Sequence, residues 1–438
     1  MDRAIVLLAI PMVLEMCMES LFGVVDVFWV ARLGADAIAT VGLTESMLIV
    51  LFALALGIGM SATAMVARRI GEKQPAAASV AAVQAILIGV VVSTIAAVLG
   101  FTFAPDLLSA MGASAEVIRT GSGYTRMMLA GSITIFQLFL INAVFRGAGD
   151  AATAMRALWI ANAVNILLNP CLIFGLGPFP HMGVLGSAVG TTIGRGIGVA
   201  YQLWVLMSGR SRIRVSFADF RVDLGVMQRI FRLSLGATFQ YLVQMTSWIG
   251  LIRVVSLFGS SAVAANTLAT RIVVFAILPS WGMANAAATL VGQNLGAGKP
   301  ERAEHAVWRT GLYNMIFLGT VGVLFITFAE PIIGIFTSDP QVFPLAVTGL
   351  RFFSYGYISY AYGMVVSQAF NGAGDTFTPT VLNLICFWLC QIPLAWFLAI
   401  ALEMGPKGAF LSVVVADTML AVLGILWFRR GTWKRQTV

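Results

Sequence analysis

FRGAGDAATAM, residues 145–155, returns as FNGAGDTFTPT at residues 370–380. The offset, 370 − 145 = 225, holds far beyond these segments. Gly34 maps to Gly259, Leu43 to Leu268, Gly57 to Gly282, Gly71 to Gly296, Pro75 to Pro300, Arg126 to Arg351 and Gly183 to Gly408. One spacing kept over about 150 residues marks an internal duplication.

What is duplicated is a set of membrane spans. The chain has 438 residues, 59% hydrophobic and 11% charged, with a mean hydropathy of +0.92. A soluble fold of this length cannot hide so much apolar surface, so the chain reads as integral to a membrane. Apolar stretches of bilayer-core length fall at 5–31, 45–67, 79–103, 123–145, 157–177, 183–207, 230–258, 266–292, 307–329, 349–370, 380–402 and 408–428. The expected fold is all-α: twelve transmembrane helices in two pseudo-symmetric six-helix bundles. The N-terminal lobe covers 1–207, a polar linker 208–229 (SGRSRIRVSFADFRVDLGVMQR), and the C-terminal lobe with a short basic tail 230–438. An even number of spans per half gives both halves one orientation. They are then related by a pseudo-twofold axis along the membrane normal, as in transporters that carry substrate between parallel repeats.

The net charge of +8 invites a nucleic-acid partner, but the basic residues are gathered in alternate short loops. Arg68, Arg69 and Lys73 follow span 2, and Arg146 and Arg156 follow span 4. Arg210, Arg212, Arg214, Arg221 and Arg229 follow span 6, Lys299, Arg302 and Arg309 follow span 8, and Arg429, Arg430, Lys434 and Arg435 end the chain. The other loops hold little beyond Arg32, Arg119 and Lys407. By the positive-inside rule both termini are expected in the cytoplasm, with the bilayer and not nucleic acid as partner. The first apolar run continues to Val30, too long for a signal-peptide core. Cys17, Cys171, Cys386 and Cys390 all lie in apolar segments, so packing is expected of them rather than disulfides or zinc.

Three carboxylates, Glu15, Glu19 and Asp26, interrupt the greasy first span. At +225 they become Gln240, Gln244 and Leu251, so the fold itself does not require acids there. A carboxylate in mid-bilayer costs about 2.5–3.5 kcal/mol on insertion scales and must be paired, protonated or wet. Spacings of four and seven put all three on one helix face. Glu19 and Arg195 are expected at the same depth, as a structural ion pair. Glu15, one turn further in, is expected either to share that arginine or to face an inner cavity. Asp26 lies about 10 Å further out than Glu19, with no basic residue at its depth. Span 5 carries Asn162, Asn165 and Asn169 on one face, and Ser187 begins span 6. Asn165, Asn169 and Ser187 are expected beside Asp26, where a lone carboxylate among neutral oxygens and amides can take a proton or a small cation. The plainer reading is that the asparagines glue helices together. Phe139, Gln240, Tyr241, Gln244, Met245 and Trp248 are candidates for an adaptable substrate cavity, because aromatic faces and thioethers suit varied amphipathic cations.

Together these residues resemble the multidrug and toxic compound extrusion (MATE) family. The resemblance rests on the twelve spans, the IPMVLE proline, VDVFWVARLG closing span 1, LLNPCLIFGLG in span 5, and the RGAGD and NGAGD turns. It implies a V-shaped pair of lobes in a bacterial inner membrane. It also implies export of bulky, cationic or amphipathic compounds, driven by inward H+ or Na+, by a monomer without a cofactor. Asp26 then matches the span-1 aspartate that handles the coupling ion, with Asn165 and Ser187 in its cluster, and Pro11 matches a proline about which span 1 bends. Asn169 stands where some members have a second aspartate. Gln244 and Tyr360 stand where one branch has acids in the C-terminal lobe. The pattern is nearer the DNA-damage-inducible branch and argues against ion coupling in the C-terminal lobe.

Two rivals stand beside this reading. A lipid-linked oligosaccharide flippase of the same superfamily would need cavity cations, for which Arg195 and Arg253 are candidates. A membrane-embedded enzyme finds no support in motifs. Asp150 and Asp375 each follow a GAG turn and read as helix caps, and His181 and His305 have no ligand partners at metal spacing. Neither GxSxG nor a Walker A pattern is present.

Overall fold

The computed structural model describes residues 2–216 and 219–436; Phe217 and Ala218 of the linker lie outside the described residues. The twelve spans follow in the expected order. The first half contains α1 (Asp2–Ala31), α2 (Ala35–Gly71), α3 (Pro75–Ala110), α4 in two pieces (Ala115–Ala130 and Ser132–Ala148), α5 (Ala151–Phe174) and α6 (Val184–Ser208). The second contains α7 (Leu224–Ser256), α8 (Ser260–Gly296), α9 (Pro300–Thr327), α10 in two pieces (Phe343–Tyr355 and Tyr357–Ala373), α11 (Phe377–Ala401) and α12 (Pro406–Arg429). A helix satisfies its own backbone groups, which hydrocarbon demands of any lipid-facing span. Local signals set the ends. Pro75 and Pro300 open α3 and α9 at the position where a missing N–H costs nothing.

The duplication is visible in backbone detail. α4 and α10 break at Gly131 and Gly356, one offset apart. The connections after them turn at Gly149 (φ +82°) and Gly374 (φ +89°), a conformation that suits glycine. Asp150 then caps α5, accepting from the Thr153 amide at 3.3 Å and its hydroxyl at 2.9 Å. Asp375 caps α11 through the Thr378 amide at 3.0 Å and hydroxyl at 2.7 Å. Both aspartates are therefore caps, as their sequence context indicated.

The constant offset ends before α12. Gly186 packs on the backbone of Leu172 and Ile173, while Gly408 packs on Leu398 and Ala399. The structural partner of Gly408 is thus Gly186, an offset of 408 − 186 = 222, and that of Gly183 is Gly405, both with positive φ. The expected match of Gly183 to Gly408 is corrected accordingly. The cause is local. α11 has π-helical stretches at Leu384–Gln391 and Phe397–Ala401, which take up extra chain, and the turn from α11 to α12 is shorter than that from α5 to α6.

Packing divides the chain into two compact units, one of Met1–Val13 with Phe239–Val438, the other of Leu14–Thr238. The lobes expected at 1–207 and 230–438 differ from this division within their first helices. In the first unit Gly282 lies against the backbone of Met12 and Val13; in the second, its counterpart Gly57 lies against Thr238. Small residues allow helix backbones this close in a membrane, where van der Waals packing drives association.

A matched pair tests the close packing. A Cβ on Gly147 would meet the Thr63 carbonyl oxygen at 2.8 Å, and one on Gly372 would meet the Ala288 carbonyl. Gly372→Ala should cost about 1–3 kcal/mol by overpacking and lower the melting midpoint of the purified protein. Gly319→Ala, with no atom nearer than 3.6 Å, should leave the midpoint unchanged in the same thermal scan.

Candidate functional site

The three acids of α1 meet three different environments. Glu15 is fully buried. Its Oε1 accepts from Arg146 Nη1 at 2.7 Å and from Asn142 Nδ2 at 2.8 Å. Asn142 and Arg146 are one turn apart on α4, and Gln202 of α6 donates to Asn142 at 2.6 Å. The expectation that Glu15 shares Arg195 or faces a cavity is corrected. Counting Arg146 with the loop cations hid it, although the four-residue spacing from Asn142 puts both on one face.

Glu19 pairs with Arg195 at 3.2 Å, as shared depth implied, and also accepts from Asn162 at 3.0 Å. The Arg195 guanidinium lies 5.3 Å from the ring centres of both Phe22 and Phe139. Phe139 also packs edge-on against Phe52 at 5.8 Å. Its observed role is to wall in this arginine, a cation–π contact that offsets desolvation.

Asp26 is almost buried and belongs to no salt bridge among the described residues. Asn169 Nδ2 donates to its Oδ1 at 2.6 Å and Ser187 Oγ at 2.7 Å. Both bonds converge on one oxygen, leaving Oδ2 outside them. Asn165 donates to Thr191 at 2.8 Å and to Asn169 at 3.3 Å, while its own carbonyl oxygen is buried without a hydrogen-bond partner. A carboxylate oxygen and an orphaned amide oxygen in one cluster are acceptors in search of a proton or a small cation. Sequence reasoning grouped Asp26, Asn165, Asn169 and Ser187 and missed Thr191, which stands one turn from Ser187 on the same face of α6.

In the other unit, Leu251, the counterpart of Asp26, is wholly buried in an apolar core with Val255 and Phe353. Gln240, Tyr241, Gln244, Met245 and Trp248 line one cavity of about 230 Å³. Five of the six expected cavity residues are thus brought together, and Phe139 serves elsewhere. Gln244 hydrogen-bonds Tyr360, which shares the cavity wall.

A MatE family model matches residues 11–171 and 237–397. The chain belongs to the MatE family. Over all 438 of its residues it is 25% identical to the probable multidrug resistance protein NorM of Thermotoga maritima, covering 94% of that protein. It is 23% identical to an FAD transporter of Shewanella oneidensis, over 92% of this chain and 88% of that one. A crystal structure of MATE in complex with MaL6 superposes with a TM-score of 0.93 at 26% identity, covering 99% of this chain and 97% of the other. This MatE protein therefore has the twelve-helix MATE fold, and it is a membrane transporter, not an enzyme.

The two ion pairs should differ in cost when broken. Arg146→Ala strands a fully buried carboxylate, and about 3–5 kcal/mol is expected. Arg195→Ala should cost less, because Glu19 keeps 19% of its side chain exposed. Thermal melting of both variants checks the order, with a Glu19–Arg195 double-mutant cycle isolating the pair. Equal midpoints for wild type and Arg146→Ala would remove the Glu15 pair from the structure's energetics.

Proposed function

We propose that this MatE transporter is a secondary active exporter of bulky, cationic or amphipathic compounds, coupled by antiport to H+ or Na+ at Asp26. One observation carries the reading. Of three acids on one helix face, Glu15 and Glu19 have arginines, whereas Asp26 has only neutral donors. A carboxylate held this way is poised to gain and lose a cation, because nothing in the chain fixes its charge. Asn165, Asn169 and Ser187 orient it, and Glu15, Glu19 and Arg195 are its static neighbours. Pro11, inside α1, lacks a backbone donor and marks where the helix bends during a cycle.

Alternating access follows from linkage. An ion that binds one conformation more tightly shifts the equilibrium towards it and weakens substrate by the same coupling energy. One charge moving across 100 mV supplies about 2.3 kcal/mol, enough to bias such a cycle.

Asp26→Asn keeps shape and hydrogen bonding but fixes the group as neutral. The variant should fold and still bind drug, yet fail to export it against a gradient in everted vesicles. Full efflux by a well-folded Asp26→Asn protein overturns the assignment. Reconstituted wild type, driven first by a pH gradient and then by a Na+ gradient, identifies the ion. Gln244→Ala, in the cavity of the other unit, should change substrate preference and leave the response to the ion gradient intact. Loss of that response with substrate still bound would contradict coupling at Asp26 alone.

A further inference from the structure

Asp417, in the middle of α12, takes no part in the reading so far. The sequence analysis passed over it because +225 pairs it with Thr192. The register of the last span changes its meaning. At the observed offset of 222, Asp417 occupies in its bundle the place that Arg195 occupies in the other (417 − 222 = 195). A second contact confirms this frame: Gly131 packs on Thr192, and its counterpart Gly356 packs on Val414 and on Asp417 itself. Gln244 meanwhile replaces Glu19. The first bundle therefore closes with a balanced ion pair, and the second sets an amide and an unbalanced acid at the same two places.

Among the described residues Asp417 forms no ion pair. It shares with Gln244, Gln391, Tyr357 and Tyr360 a small chamber of about 30 Å³. The Tyr357 hydroxyl faces this chamber buried, 2% exposed, with no hydrogen-bond partner. An unbalanced acid and an unpartnered hydroxyl are a strong demand for something from outside the chain. Gln244, Trp248 and Tyr360 also wall the larger cavity of about 230 Å³. That cavity is aromatic and soft, with Tyr241 and Trp281 edge to face at 5.8 Å. Aromatic faces attract cations, and thioethers such as Met245 adapt to varied shapes.

We propose that the C-terminal bundle holds an organic-cation site, with the cationic centre of the substrate at Asp417 and its apolar body in the aromatic chamber. The proposal rests on the export reading and names the class of substrate that Asp26-driven coupling moves. It divides the labour: the N-terminal bundle handles the coupling ion, and the C-terminal bundle reads substrate charge.

The test uses the purified full chain in nanodiscs and two probes of one shape. One is phenylbutyl-trimethylammonium; the other is its neutral isostere, with carbon in place of nitrogen. Calorimetry should show wild type preferring the cation by about tenfold or more. Asp417→Asn should lose about tenfold in affinity for the cation and keep its affinity for the isostere. Unchanged cation affinity in Asp417→Asn overturns the proposal and makes the acid a protonated packing group. So does a Na+ dependence that disappears in Asp417→Asn while cation affinity stays, since Asp417 would then hold the inorganic ion. If Asp417→Asn does not fold, Gln244→Glu decides: it adds an acid to the same chamber and should tighten the cation several-fold, and no tightening overturns the proposal. Failure here is distinct from failure of the export reading. Gradient-driven efflux without Asp417-dependent binding sinks only this site; Asp417-dependent binding without gradient-driven efflux sinks only the coupling.

Discussion

Hydrocarbon does not solvate charge, and the first bundle is arranged around that fact. Each acid that α1 carries inward has to meet its answer on another helix. Glu15 draws α4 through Asn142 and Arg146. Glu19 draws α6 through Arg195 and α5 through Asn162. Asp26 draws α5 and α6 again through Asn169 and Ser187. The acids thus fix the rotation of α1 about its axis as well as its partners. The same arithmetic separates structure from function, because a paired acid has a settled charge and an acid among neutral donors does not.

Close backbone contact is the second condition. The apolar side chains of a span gain little by leaving lipid for one another, so the helices associate through fit. Gly147 on Thr63 and Gly372 on Ala288 are the same contact made twice, one in each bundle. Such contacts hold both copies to one geometry while the chemistry on their helices diverges.

That divergence is what turns a duplicated scaffold into a transporter with two different bundles. The acids of α1 have become Gln240, Gln244 and Leu251 on α7, and the arginine of α6 has become Asp417 on α12. One bundle keeps paired charges around a single titratable group. The other carries an aromatic cavity beside one acid. A substrate and a coupling ion bound at different places influence each other only through the conformations both prefer, and a pair of unlike bundles supplies two such places.

Hydropathy, loop charge and the repeat were enough to read the twelve helices, because each depends on chain-local properties: span length, backbone self-satisfaction and a spacing of 225. The Asp26 cluster and the Glu19–Arg195 pair were legible for a related reason, since helix periodicity and depth along a straight span nearly fix which side chains share a level. Tertiary structure decided the rest. Arg146 looked like a loop cation until α4 was seen to bring it beside Glu15, and Phe139 looked like cavity lining until its ring was found against Arg195. Asp417 was hidden because the π-turns of α11 and a shorter loop move α12 by three residues against the repeat. Sequence spacing counts residues along the chain, whereas charge balance depends on which residues face one another across it.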